Sequence, residues 1–219
     1  FSEHDMIKCV IFDMDGTLAD TLPLCIESFR RSIEKLSGKI LTDREIIETF
    51  GPSEEGVVKK LLPGNYKEGL ELYLQYYKEL HGIMCPRPFD GIIPLLEWLK
   101  SQNISAAIVT GKGGKSLAVS LKVLRLEKYF CRTEYGDESG TDKCEFIGKI
   151  IRQLSPDKRE AVYVGDSVSD IISSRKAGIR AVAAAWAETA DKERLKAASP
   201  DYFAESVAEL KDAIEKMNG

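Results

Sequence analysis

Histidine is nearly missing from this chain: there are two, His4 and His81, in 219 residues. Neither stands at a spacing that would hold zinc or serve a histidine-based nucleophile, and no G-x-S-x-G elbow is present, so zinc and serine-hydrolase chemistry are excluded. Long hydrophobic runs are missing as well. The longest spans 181–187, far short of the roughly 18 residues a membrane helix requires. No charged-then-apolar leader precedes Ile7, and the expected location is the cytoplasm. With a formal net charge of −4 and no block of basic residues, the chain has no field for nucleic acid or an anionic membrane. Its five cysteines, Cys9, Cys25, Cys85, Cys131 and Cys144, are odd in number and lack CxxC spacing. They read as reduced structural thiols. No internal repeat or low-complexity segment is visible.

What is present is the composition of an ordinary globular protein, 43% apolar and 30% charged, long enough for one large α/β domain or for a core with a small insert. The stretch Ile7-Lys8-Cys9-Val10-Ile11-Phe12 reads as a buried strand, and it ends abruptly in Asp13-Met14-Asp15-Gly16-Thr17. A strand end of this kind lies at the carboxyl edge of an open sheet, where such folds bind ligands. Two carboxylates that close resist joint ionisation unless a cation sits between them. Hard oxygen donors favour Mg²⁺, which suggests a phosphate-bearing substrate. A second strand signal, Val162-Tyr163-Val164-Gly165-Asp166, also ends in acid, and Asp170 follows at i+4 across a helix start, where it would point back toward Asp166.

Between these signals the period changes. Leu22, Ile26, Phe29, Ile33 and Leu36 form one helical stripe ending near Gly38, and Thr42 with Glu45 is a capping box. Gly51-Pro52-Ser53 breaks that helix, a further one runs to Leu62, and Leu70, Tyr73, Leu74 and Tyr77 mark another. The tyrosines at this spacing read as core. From Asp90 helix and strand alternate: helices over 92–100, 116–124, 144–154, 169–177 and 207–217, strands over 104–109, 129–133, 161–164, 179–183 and 202–203. The predicted fold is α/β, a Rossmann-like parallel sheet flanked by helices. Residues 1–19 and 89–219 form the core and 20–88 a small all-helical domain, with Pro86-Arg87-Pro88 as a stiff return linker.

Asp13-Met14-Asp15-Gly16-Thr17-Leu18-Ala19-Asp20-Thr21 resembles the first signature of the haloacid dehalogenase superfamily of phosphohydrolases, and the match spans nearly the whole chain. Thr110-Gly111, after the strand that follows the insert, resembles the second signature, a hydroxyl and backbone N–H groups that bind the transferring phosphoryl group. Lys143 resembles the third, although the family often has proline where Cys144 stands; Lys149 is the fallback. Gly165-Asp166-Ser167-Val168-Ser169-Asp170 resembles the fourth. The resemblance implies Asp13 as nucleophile, Asp15 as general acid and base, and Mg²⁺ held by Asp13, the Asp15 backbone carbonyl and Asp166, with Asp170 orienting the metal shell. Thr110, Gly111 and Lys143 would then bind phosphate, and the helical insert would be a mobile cap. Arg175-Lys176-Ala177-Gly178 looks most like phosphoglycolate phosphatases, and Asp15 argues against a dehalogenase. A mutase of the β-phosphoglucomutase type and a pyrophosphatase are the nearest alternatives. The expected partner is a small phosphorylated metabolite, and the expected assembly is a monomer or homodimer.

Two rivals stand outside that resemblance. Gly114-Lys115-Ser116 matches the end of a nucleotide-binding P-loop, but the first glycine would fall at Val109, which cannot make the tight turn. A receiver-type phosphate switch also combines acids, a Thr and a Lys around Mg²⁺. Its acceptor would not stand on the first strand before a helical insert.

Overall fold

The computed structural model describes residues 6–154 and 157–219, so His4 lies outside the described residues. The chain runs β1 (Cys9–Phe12), α1 (Leu22–Ser37), α2 (Asp43–Ile47), α3 (Glu54–Leu61), α4 (Tyr66–Met84), α5 (Ile92–Ser101) and β2 (Ser105–Gly113). It continues with α6 (Gly114–Leu124), β3 (Phe130–Gly136), α7 (Lys143–Leu154), β4 (Ala161–Gly165), α8 (Val168–Ala177), β5 (Arg180–Ala184), α9 (Lys192–Ala197), β6 (Tyr202–Ala204) and α10 (Val207–Asn218). The six strands form one sheet in the order β3-β2-β1-β4-β5-β6, every pair parallel. This is the Rossmann-like α/β sheet that the alternating pattern predicts.

Strand alternation divides the core between the two faces of the sheet. Val10, Phe12, Ile108, Val162 and Val164 share one cluster with Leu96 of α5, Leu117 of α6 and Ile214 of α10. Cys9, Ile11, Val109 and Tyr163 face the other way, onto Ile147 and Ile150 of α7. β1 is central and all four of its residues are buried. Its carboxyl end is therefore fixed by neighbours on both sides, and the Asp13 amide donates to the Val164 carbonyl at 2.9 Å.

Helices α1–α4 lie between β1 and α5 in the chain, and no strand interrupts them among the described residues. Gly38 stops α1 in the left-handed conformation at φ 69°, and the Thr42–Glu45 capping box is formed in both directions. Tyr73 and Tyr77 are buried, as their helical spacing predicts, and share the larger cluster with Phe29. Against α6, the Tyr77 hydroxyl meets Ser120 Oγ at 2.7 Å and His81 Nε2 meets the same oxygen at 3.0 Å. His81 is thus a core residue of α4, with its Nδ1 buried and unpartnered.

The structure differs from the sequence pattern in three places. β2 continues past Thr110 to Gly113, where three residues of β2 advance against one of β3, from the pair Thr110–Tyr135 to the pair Gly113–Gly136. Such a bulge carries no hydrophobic periodicity, and its Gly-Lys-Gly sequence reads as a turn. β3 likewise reaches Gly136. The six-residue α9 buries only Leu195 and so leaves no stripe to read. No helix among the described residues is long and apolar enough to cross a membrane.

Candidate active site

The carboxyl ends of β1 and β4, the start of α7 and the first turn of α8 converge. One carboxylate oxygen each from Asp13, Asp166 and Asp170 lies within 4.8 Å of the others, although more than 150 residues separate Asp13 from Asp166 in the chain. Lys143, the first residue of α7, reaches this group with Nζ 2.9 Å from Asp13 Oδ2 and 2.6 Å from Asp170 Oδ1. Asp170 is held by the start of its own helix: its Oδ2 accepts from the Ser167 amide at 3.0 Å and from the Ser167 hydroxyl at 2.6 Å. The same capping box that begins α8 therefore aims Asp170 at Lys143. The fallback Lys149 is instead bound to Glu134 on the surface at 2.7 Å.

Two glycines make the convergence sterically feasible. A side chain on Gly16, which sits at φ +78°, would run into the Asp166 carboxylate, and one on Gly165 would lie 2.5 Å from the Asp170 carboxyl carbon. The glycine of the first acidic motif is thus required both by its backbone conformation and by the close approach of Asp166.

Burial and mutual repulsion set the protonation states. Desolvation, opposed by Lys143 and reinforced by Asp170, pushes the Asp13 carboxyl up to about 6. Desolvation, with Asp13 and Asp170 adding to it, pushes Asp166 well above the usual carboxylate range. Burial works against the charge of Lys143, but Asp13 and Asp170 more than offset it and hold the ammonium above the ordinary lysine range. Carboxylates that resist ionisation together, presenting only hard oxygen donors, match a divalent cation such as Mg²⁺.

Asp15 faces elsewhere. Its Oδ1 accepts from the Thr21 hydroxyl and lies 3.1 Å from Lys112 Nζ, with Cys25 Sγ at 4.0 Å. Its side chain thus stands apart from the three clustered carboxylates, on the side of the inserted helices. Thr110 is buried, its hydroxyl accepts from the Lys112 amide at 3.3 Å, and it helps to hold the Asp13 carboxyl down against burial, and Gly111 lines the same cavity. That cavity measures about 310 Å³ and opens between the sheet edge and α1–α4.

Sequence reasoning missed Lys112 and Glu54. The Lys112 side chain is wholly buried, its Nζ 3.1 Å from Asp15 and 3.6 Å from Glu54 Oε1, and 4.4 Å from the Tyr77 ring centre. Burial opposes its charge, but Asp15 and its other neighbours hold the ammonium well above the usual range. Glu54 also accepts from the Gly113 amide at 2.6 Å and from the Ser116 hydroxyl. The start of α6, where a P-loop would bind nucleotide phosphate, is therefore filled by a carboxylate of this chain. The only hint in the sequence is a lysine set among small residues two positions after Thr110.

Acids, a lysine and a threonine gathered around one cavity at the carboxyl edge of a parallel sheet make this an α/β protein equipped for phosphoryl transfer. The family model for haloacid dehalogenase-like hydrolases matches residues 10–184. A protein of Caldanaerobacter subterraneus subsp. tengcongensis carrying the name pyrophosphatase PpaX is 32% identical, over 95% of this chain and 95% of its own length. A crystal structure of a protein from Haemophilus somnus named as a phosphoglycolate phosphatase superposes with a TM-score of 0.81 at 18% identity, covering 94% of this chain and 97% of that one. Another, from Thermotoga maritima and named as a β-phosphoglucomutase, gives 0.75 at 25% identity, covering 94% and 99%. The chain belongs to the haloacid dehalogenase-like hydrolases. It is an enzyme of the phosphatase class, a hydrolase acting on phosphate esters.

Proposed function

We propose that the protein is a Mg²⁺-dependent phosphatase that hydrolyses a small phosphate monoester, phosphoglycolate-like or a sugar phosphate, through an aspartyl-phosphate. The observation that carries this reading is the meeting of Asp13, Asp166 and Asp170 with Lys143 at one sheet edge. An Asp13 oxygen attacks phosphorus as the bond to the leaving oxygen breaks, so one difficult displacement becomes two easier ones. Asp15, on the side of the inserted helices, gives its proton to the departing oxygen. It then takes one from the water that attacks the phosphorus, releasing phosphate and restoring the Asp13 carboxylate. Mg²⁺, held by Asp13, Asp166 and the Asp15 backbone carbonyl, would neutralise phosphoryl charge. Asp170 keeps Lys143 against Asp13, and Lys143, Thr110 and the Gly111 amide stabilise the charge that develops in transfer. Residues 20–88 act as a cap over the cavity, and residues 1–19 and 89–219 as the catalytic core.

The test is phosphate release from a panel of monoesters with and without Mg²⁺, for the parent and for Asp13→Asn. Turnover should require the ion and fall by a factor on the order of 10³ or more in the variant; equal rates in both would remove Asp13 as nucleophile. The likeness to the Thermotoga maritima β-phosphoglucomutase supports a second reading, a phosphosugar mutase. It predicts isomerised sugar phosphate with little free phosphate. A stable stoichiometric adduct from acetyl phosphate, without turnover, would identify a phosphate-sensing switch.

A further inference from the structure

The 310 Å³ cavity has an uneven lining. Its rim is the acidic edge of the sheet, but its far wall is Leu22, Phe29, Phe50, Val57 and Tyr73, all from the segment 20–88. The charged residue that this segment adds to the lining is Glu54, an anion. Among the described residues that line the cavity, the cations are Lys112 and Lys143, and each is already committed to two carboxylates. Lys112 serves Asp15 and Glu54, and Lys143 serves Asp13 and Asp170. No cation of the described part of segment 20–88 lines the cavity, and Arg30, Lys59 and Lys60 are engaged elsewhere, with Glu27, Glu138 and the Thr49 carbonyl.

A substrate that brings its phosphoryl group to Asp13 must lay its leaving group along this wall. A second anionic group there would lose its water and meet hydrocarbon, the uncharged hydroxyl-bearing residues Ser53 and Tyr73 and the Glu54 carboxylate, with no free cation to receive it among the described residues of the lining. Burying a charge without a partner is strongly unfavourable. An uncharged leaving group pays no such penalty, and the cavity is at the small end of ligand sites. We propose that the enzyme selects phosphate monoesters of small uncharged alcohols. It rejects phosphoryl donors whose leaving group carries a second anion, among them the ester phosphoglycolate with its carboxylate and the anhydride pyrophosphate with its second phosphate. This rests on the phosphatase reading above, narrows its two substrate classes to the one with an uncharged leaving group, and sets the chain apart from what the names of its relatives suggest.

The experiment compares kcat/KM in Mg²⁺ for four small substrates: glycerol 3-phosphate, ethanolamine phosphate, phosphoglycolate and pyrophosphate. Glycerol 3-phosphate should exceed both substrates that carry a second anionic group by about tenfold or more. In Glu54→Gln the ratio of the two KM values should narrow in favour of phosphoglycolate, with far-UV circular dichroism reporting that the variant is folded; an unchanged ratio in a folded variant overturns the part assigned to the Glu54 charge. Equal or better turnover of phosphoglycolate or pyrophosphate by the parent overturns the inference and leaves the phosphatase reading standing, as does a preference for ethanolamine phosphate. No turnover of any phosphate ester would defeat the phosphatase reading, and this inference with it.

Discussion

Asp13 is asked to ionise where water hardly reaches it. In the folded protein burial carries its carboxyl from the ordinary 3.8 to about 6, and Lys143 only partly restrains the shift. Between these two values the folded state holds more protons than the unfolded state, so stability is lost as pH rises through that window. Asp166 moves in the same direction. The metal-free protein should therefore show a Tm that falls from about pH 4 to pH 6 relative to Asp13→Asn, which has no carboxyl to titrate. Added Mg²⁺ should flatten the difference, because a bound cation pairs with the ionised form. Calorimetric scans in chelator and in Mg²⁺ measure this, and parallel curves for the two proteins would show that Asp13 titrates normally.

At the scale of single elements, helix starts do two kinds of work. The capping box at Thr42 and Glu45 is exposed and remote from the cavity. Thr42→Ala should cost about 1 kcal/mol of unfolding free energy and leave kcat unchanged, as denaturant melts and initial rates would report. The equivalent box at Ser167 and Asp170 sits inside the site, where one carboxylate both caps α8 and holds Lys143. The sequence marks only the first as a capping box, and Asp170 stands out there as an acid behind a buried strand, not as the partner of Ser167. The β2 bulge belongs to this scale as well. It turns Thr110, Gly111 and Lys112 toward the cavity, and two extra residues in one strand have no counterpart in a pattern of alternating side chains.

Across the whole molecule, one hydrophobic cluster joins the inserted helices to the sheet, running from Phe29, Tyr73 and Tyr77 to Phe12 and Ile108. Ser120 supports that junction by serving both Tyr77 and His81. Ser120→Ala would leave two buried polar groups without their partner, and should cost about 1–3 kcal/mol. Because the cluster is continuous, the loss should appear as a shift of a single cooperative transition in urea. A separate early transition would mean that helices α1–α4 melt on their own.

The sequence by itself determined the parallel sheet, the helical insert and the strand ends that carry Asp13 and Asp166. Each follows from local period and from acids placed where a buried strand stops. Lys143 and Thr110 rested on resemblance, since a single lysine or threonine has no period of its own. Only the tertiary structure decided that the Asp15 side chain faces Lys112, that Glu54 fills the start of α6, and that Gly16 must make room for Asp166. These partners are brought together by packing between segments remote in the chain, or by the space one residue leaves for another, and neither leaves a mark in the order of residues along one strand or helix.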